Sequence, residues 1–308
     1  MNHAPAPYVP SQLVGRLGSP SVLANALTES SKKGITMLNI NNTVSETLLI
    51  PLYMKYLAAQ QPAPILYDET AIRLIPQLDY DFTKFDQAKG SIIGTAIRAR
   101  YFDQCTADFI CRHPNGVVVI LGCGLDGRCQ RIGDVAQHAP FYQLDLPEVI
   151  ALREHLLPPQ SNETLLAASA FDTAWMDELR CQYPQSPFLF VIEGVLMYFP
   201  EATVRQLMVD LAQRFPKSEI LFDVCSNWAA RHSDRHDTVK HTRARFLFGC
   251  DDDREIETWA PNLHLVSAKY MLTDFPEWKR IGRLGLWLMR LLPFLRHSFR
   301  LLHYRISA

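Results

Sequence analysis

Three glycines, Gly122, Gly124 and Gly127, stand at the spacing G-x-G-x-x-G directly after the apolar run Val117–Leu121, and Asp145 follows 23 residues after the first of them. Glycines at that spacing let backbone N–H groups approach a ligand closely, and the helix N-terminus that follows such a turn favours negative charge. A carboxylate at the end of the next strand can accept two hydrogen bonds from a ribose diol. Together they predict nucleotide binding. NAD and S-adenosylmethionine both carry the diol, so these two features leave a dehydrogenase and a methyltransferase both open. Capping of the helix that begins at Pro147 is a further reading of Asp145.

Two more polar residues fall where chemistry needs them. "SAFD", residues 169–172, ends a third strand, where a side chain reaches an adenine amino group. "VIEGVLMYFPEATV" puts Glu193 at the end of a fourth strand and Tyr198 just before the next helix. Four successive polar strand ends converge on one crevice at the carboxyl edge of a doubly wound sheet.

The elements that must position these residues are legible as patterns. Short apolar runs at "VVVIL", "FYQLDL", "FLFVIEG" and "EILFDV" alternate with helical stretches such as "PEVIALREHLL" and "EATVRQLMVDLAQRF". Strands alternating with helices predict an α/β fold with a doubly wound, Rossmann-like sheet. Residues 1–20 are Pro-rich and expected to be loose. Residues 21–110 read as a helical cap or front section, and residues 111–308 as the α/β core. A polar, charged stretch at about 226–262 interrupts the alternation as a lid or insertion. The tail reads as "LHLVSAKYML", a helix near "RLGLWLMRLL", and a strand-like "FRLLHYRI" that supplies an edge of the sheet.

Composition bounds the partners. A net charge of -1, with 48% hydrophobic and 20% charged residues, describes a globular chain with no general attraction to nucleic acid or acidic membranes. A small-molecule ligand is the default. No run reaches the roughly 18–20 apolar residues of a membrane span, so no stable membrane insertion is expected. Seven cysteines without a C-x-x-C pair predict reduced thiols, and with no signal-like N-terminus the expected location is cytoplasmic. "HSDRH" has a zinc-protease spacing at His232 and His236, but no glutamate follows the first histidine and no third ligand is evident, so no metal is expected. Nothing in the sequence indicates an oligomeric state.

Seven segments in order, "ETLLIPLY" (46–53), "LDYDF" (78–82), "RARYFDQ" (98–104), "VVVILGCGLDGR" (117–128), "YQLDLPEVI" (142–150), "SAFDTAW" (169–175) and "EGVLMYF" (193–199), resemble the leucine carboxyl methyltransferase family, above all its bacterial tetracenomycin-type O-methyltransferase branch. They are spread over about residues 45–225. The resemblance implies a class I methyltransferase with S-adenosylmethionine as cofactor. It implies that Arg98 pairs with the methionine carboxylate, that Gly122 and Gly124 line the cofactor turn, and that Asp145 holds the ribose. By the same resemblance Phe171 and Asp172 flank the adenine, Glu193 sits under the methionine portion, and Tyr198, as the catalytic residue, faces the methyl group and the acceptor. The resemblance also implies that Glu46, Thr47 and Tyr53 line the acceptor pocket. Packing at the start of a helix is the alternative for those three, and an ion pair with Asp103 or Asp108 is the alternative for Arg98. The chain departs from the family twice: Gln143 stands where an acidic residue is common, and Gly127 replaces the threonine of "GLDTR".

Methyl transfer from a sulfonium is an in-line displacement in which the protein aligns the acceptor oxygen and excludes water. A carboxylate acceptor is ionised at neutral pH and needs no base, whereas a hydroxyl needs one. Only His232, His236 and His241 cluster enough to supply a base, with no dyad partner, which favours a carboxylate on a small natural-product-like acceptor. A nicotinamide-dependent oxidoreductase is the rival enzyme and gives no reason for "EGVLMYF". A non-catalytic cofactor-binding protein is the rival outside enzymes.

Overall fold

The computed structural model describes residues 47–282, 287 and 291–308. Val117–Leu121 forms β1, buried at every position because helices cover both faces. β2 (Phe141–Asp145), β3 (Glu163–Ala167), β4 (Phe188–Ile192), β5 (Ser218–Cys225), β6 (Leu263–Tyr270) and β7 (Phe299–Ile306) complete one seven-stranded sheet in the order β3-β2-β1-β4-β5-β7-β6. Strands β1 to β5 pair in parallel, and β7 is antiparallel to both of its neighbours. The order reverses between β1 and β4, which opens a crevice at their carboxyl ends. The fold is the doubly wound α/β sheet that the alternating pattern predicts.

β7 is not the edge that its alternating run suggests. It lies between β5 and β6, with Leu301, Leu302, Tyr304 and Ile306 fully buried, and β6, with its mixed exposure, is the edge.

The helices are α1 (Leu49–Ala59), α2 (Glu69–Leu74), α3 (Lys89–Arg112), α4 (Arg128–Ile132), α5 (Pro147–Leu156), α6 (Ala174–Gln182) and α7 (Glu201–Arg214). Side chains alternate across a strand, so β1 divides its residues between two cores. Val118 and Ile120 pack with Ile97, Phe102 and Phe109 of α3, while Val117, Val119 and Leu121 pack with Met176 of α6 and Met208 and Leu211 of α7. Each such side chain fully buried contributes about 1.5–3 kcal/mol. The helix α3 is thus a layer of the sandwich, packed on one face of β1. The expected loose N-terminus, Glu46, and most of the helix expected near 283–292 lie outside the described residues.

Pro147 is the first residue of α5, where a missing N–H costs nothing. Asp68 caps α2 by accepting the Ala71 N–H at 2.9 Å. Between β5 and β6 the insertion forms α8 (Asn227–Arg231), capped by the Ser226 hydroxyl, and short 3-10 turns at Ser233–Arg235, Val239–His241 and Glu255–Trp259. All seven cysteines are free thiols. Among the described residues, no helix is long and apolar enough to cross a membrane.

Candidate active site

The parallel register places Leu121 beside Leu144, so the glycine turn leaves β1 next to the end of β2. The N–H groups of Gly122 and Cys123 donate to the Leu144 carbonyl at 2.8 and 3.0 Å. Asp145 then accepts the Gly124 N–H at 2.8 Å on one oxygen and the Leu146 N–H at 2.8 Å on the other. It does not cap α5, whose N-cap is Leu146 without a side-chain bond. Burial raises the Asp145 carboxyl above its ordinary value despite those two donors. From below, Arg153 of α5 donates to the carbonyls of Gly124 (3.1 Å) and Asp126 (2.9 Å), fixing the other face of the turn.

Two glycines in this turn are required by space. Gly122 has φ +69°, and a Cβ there would stand 2.5 Å from Val195 Cγ2. At Gly127 a Cβ would meet the Thr70 hydroxyl at 2.4 Å, so Thr70 from α2 fills the space that a threonine at 127 would need. Gln143, the other departure, is buried and donates to Glu163 at 2.7 Å.

Beneath the turn runs a network of buried ion pairs. Arg98 of α3 reaches across to Glu193 after β4 (3.1 Å) and Asp223 in β5 (2.7 Å), not to Asp103 or Asp108 on its own helix. Arg128 pairs with Asp103 (2.8 Å), Asp126 (3.4 Å) and Glu193; Arg131 pairs with Asp68, Asp103 and Asp126, each at 2.7 Å; Lys55 of α1 pairs with Asp126. Burial opposes ionisation of Glu193, but Arg98, Lys55 and Arg128 outweigh it and hold the carboxyl below its ordinary value. At Asp223 burial wins, and the carboxyl is raised in spite of Arg98 and the Gly194 N–H, which donates at 2.6 Å. Four cations thus face five carboxylates among the described residues.

Two cavities open over this network and share Thr47, Pro51, Gly194 and Tyr198 as a common wall. The smaller, about 200 Å³, lies over Gly122, Gly124, Asp145, Phe171 and Glu193. The larger, about 400 Å³, is walled by the start of α3, Met197, the insertion from Trp228 to Phe246, and the start of β7. Arg98 lines the larger cavity; its Nε and Nη1 are committed, and no hydrogen bond to Nη2 is formed among the described residues. Asp172 is exposed and lines neither cavity, whereas Ser169, Ala170 and Phe171 of that turn line the smaller one. Tyr53 also lines neither. Its hydroxyl donates to Asp86 at 2.5 Å and its ring stacks on Tyr56 and Phe82, because the residues that face the smaller cavity are Pro51, Leu52 and Lys55 of α1 with Thr47 and Leu48 just before it. Asp223, Lys55, Arg128 and Arg153 support the turn and its ion-pair network, and the sequence did not single them out. An aspartate inside the otherwise apolar "EILFDV" was a usable signal for the first of them.

Tyr198 stands between the cavities with its ring against Phe246 at 5.4 Å. Burial, only partly countered by Arg98, raises its pKa, so the hydroxyl stays protonated at neutral pH. Further along the larger cavity His232 Nδ1–H donates to the Trp228 carbonyl at 2.8 Å, since a carbonyl only accepts. His236 Nδ1 accepts the Thr238 N–H at 3.4 Å and faces its hydroxyl at 3.1 Å, which puts the ring proton on Nε2; Asp237 Oδ1, at 3.6 Å, is beyond hydrogen-bond reach. Among the described residues, no group of three or more metal-ligating side chains converges.

The family model described as leucine carboxyl methyltransferase matches residues 49–212. Over 265 residues the chain is 32% identical to the tetracenomycin polyketide synthesis O-methyltransferase of Streptomyces glaucescens, covering 85% of this chain and 96% of that one. It is 27% identical over 263 residues to an S-adenosyl-L-methionine-dependent methyltransferase of Gibberella zeae, covering 80% and 88%. Among solved structures, a DUF574 family protein from Streptomyces avermitilis superposes with TM-score 0.53 at 12% identity over 86% of this chain and all of that one, which extends the likeness of fold.

Proposed function

The chain belongs to the leucine carboxyl methyltransferase family, whose members use S-adenosylmethionine, and on that premise we propose that it methylates a carboxylate oxygen of a small natural-product-like acceptor held in the larger cavity. The observation that carries this reading is the meeting of the two cavities at Tyr198 and Gly194, one over a nucleoside-type turn and the other largely apolar. The name of the Streptomyces relative, an O-methyltransferase of polyketide synthesis, supports a small acceptor and an oxygen nucleophile.

The residues of the smaller cavity fit the cofactor. Each Asp145 oxygen spends one lone pair on a backbone N–H and keeps another for a ribose hydroxyl. Gly122 and Gly124 bring backbone close to the ligand, and Phe171 offers an aromatic edge for the adenine. The excess of one carboxylate in the underlying network complements a ligand with a sulfonium and an ammonium against one carboxylate. Arg98 lines the larger cavity and not the smaller, and its unbonded Nη2 is a donor for that carboxylate only where the ligand reaches past Gly194 into the junction of the two. When bound, S-adenosylmethionine supplies a methyl group already activated by positive charge.

The chain's own residues then align and exclude water. Tyr198 keeps its proton and orients the acceptor oxygen by donating a hydrogen bond. Methylating a carboxylate cancels two opposite charges, and walls such as Met197, Phe246, Met271 and Trp278 favour that loss of charge over its retention. No base is needed.

Calorimetry with S-adenosylmethionine, in wild type and Arg98→Ala and with NAD as competitor, tests the cofactor half. Micromolar binding lost on removing Arg98 and unmoved by NAD is expected; tight NAD binding would overturn it. Radiolabelled methyl transfer to a panel of aromatic carboxylic acids and phenols tests the acceptor half. An alkali-labile ester product is expected, and an alkali-stable ether would replace carboxylate by hydroxyl.

A further inference from the structure

Three arginines line the larger cavity, and they differ in how their charge is matched. Arg98 faces Glu193 and Asp223. Arg300 is buried, pairs with Asp253 at 2.8 Å, and donates to the carbonyls of Asp251 (3.0 Å) and Cys250. Arg235, in the Ser233–Arg235 turn of the insertion, is exposed, and no carboxylate or carbonyl pairs with its guanidinium among the described residues.

The acids of this cavity do not balance it. Asp223 is held by Arg98 and the Gly194 N–H. Asp237 accepts the Ser91 N–H at 3.1 Å and the Ser91 hydroxyl, so its charge is answered by the first turn of α3. His236, next to Arg235 and lining the same cavity, presents Nε2–H as a donor because Nδ1 faces the Thr238 N–H and hydroxyl. Burial lowers its pKa, so it is a neutral donor at pH 7.

Resting on the methyltransferase reading, we propose that Arg235, assisted by His236 Nε2–H, is a specificity-determining anchor for a carboxylate on the acceptor other than the one methylated. The exposed Arg235 marks the mouth of the cavity, whereas the half-buried Arg98 and Gly194 and the buried Asp223 mark its junction with the smaller cavity. An acceptor with a carboxylate at each end would present one to Tyr198 and leave the other on Arg235. The product therefore keeps one negative charge. Aromatic walls from Trp228, Phe246, Trp278 and Phe299 take the body of the molecule between the two ends.

The test uses two planar fluorescent probes of one shape, pyrenecarboxylate and pyrenemethanol, titrated into the full chain with S-adenosylhomocysteine present and its own binding followed by calorimetry. The wild type should prefer the acid over the alcohol by about tenfold, as expected for one charge-assisted hydrogen-bonded pair. Arg235→Gln should erase the preference by weakening the acid alone, and Arg235→Lys should keep most of it. His236→Ala should lower the preference by less. A wild type that takes both probes equally, takes neither, or keeps its preference in Arg235→Gln overturns the anchor. Loss of S-adenosylhomocysteine binding would instead count against the cofactor reading, and the acid-to-alcohol ratio is read without the nucleoside as well.

Discussion

The smaller cavity takes Asp126, Asp145, Ser169 and Glu193 from four strand ends and the turns after them, with Thr47 and Lys55 added from the α1 segment, whereas the larger one gathers its walls from α1, α3, the insertion and β7. In the first, hydrogen-bonded register fixes each group: Asp145 meets Gly124 because β2 pairs with β1 one residue earlier. In the second, position depends on side chains packed between segments distant in the chain, such as Trp228 against Phe294 and His236 against Phe299. On the proposed function, the sheet holds the part common to a cofactor, and the irregular segments shape the part that selects an acceptor.

That division can be broken from either side. The largest effect is expected from Gly122→Ala. Its positive φ and the 2.5 Å approach of Val195 to a Cβ should weaken S-adenosylmethionine by roughly 100-fold, while pyrenemethanol still binds. Paired titrations of the two ligands check it, and parallel losses would show that the cavities are one unit. Asp145→Asn comes next, with cofactor affinity down by about tenfold or more through loss of charge-assisted hydrogen bonds to the ribose. A ligand lacking the ribose hydroxyls should lose nothing further in that variant.

Trp228→Ala acts on the other side. It removes a ring stacked on His232 at 4.7 Å and tilted against Phe294 at 4.5 Å, and should weaken pyrenemethanol by about tenfold with cofactor affinity unchanged.

The smallest effect on either cavity belongs to Glu219, near the opposite end of β5. Burial opposes its ionisation, but bonds from His303 (2.8 Å) and Arg112 (2.8 and 2.9 Å) outweigh it, and the carboxyl sits at about 2 against an ordinary 4.5. A depressed folded pKa contributes stability that is present above pH 4.5 and lost as pH falls towards 2. Glu219→Gln should flatten that acid limb in denaturation curves recorded across the window, and leave ligand binding at pH 7 intact.

Legibility in the sequence follows the same division. The glycine spacing, Asp145 and Glu193 stood out because a polar residue at the end of an apolar run is a local signal. Asp223 obeys that rule too, as an aspartate near the end of the buried β5. Lys55, Arg128, Arg131 and Arg153 gave no such sign. Their partners lie on other elements, and only the fold reveals that Lys55 of α1 meets Asp126 in the glycine turn. Tyr53 was misplaced for a related reason: the phase of α1 relative to the cavity is set by packing on α3. Arg235 and the histidines of the insertion were visible as a charged cluster, but their tautomers and partners depend on backbone that has no periodic pattern.

The interior position of β7 orders events in time. β6 joins the sheet only through β7, so the whole length of β5, from Ser218 to Cys225, keeps an unpaired edge until Phe299–Ile306 arrives. An open edge of that kind is a site for mispairing during folding. Since Ser298, Phe299, Arg300 and Leu301 also line the larger cavity, that cavity does not close before β7 joins the sheet, whereas the glycine turn between β1 and β2 needs neither β6 nor β7. In pulsed hydrogen exchange during refolding, the amides of Gly122 to Gly124 should gain protection before those of β6.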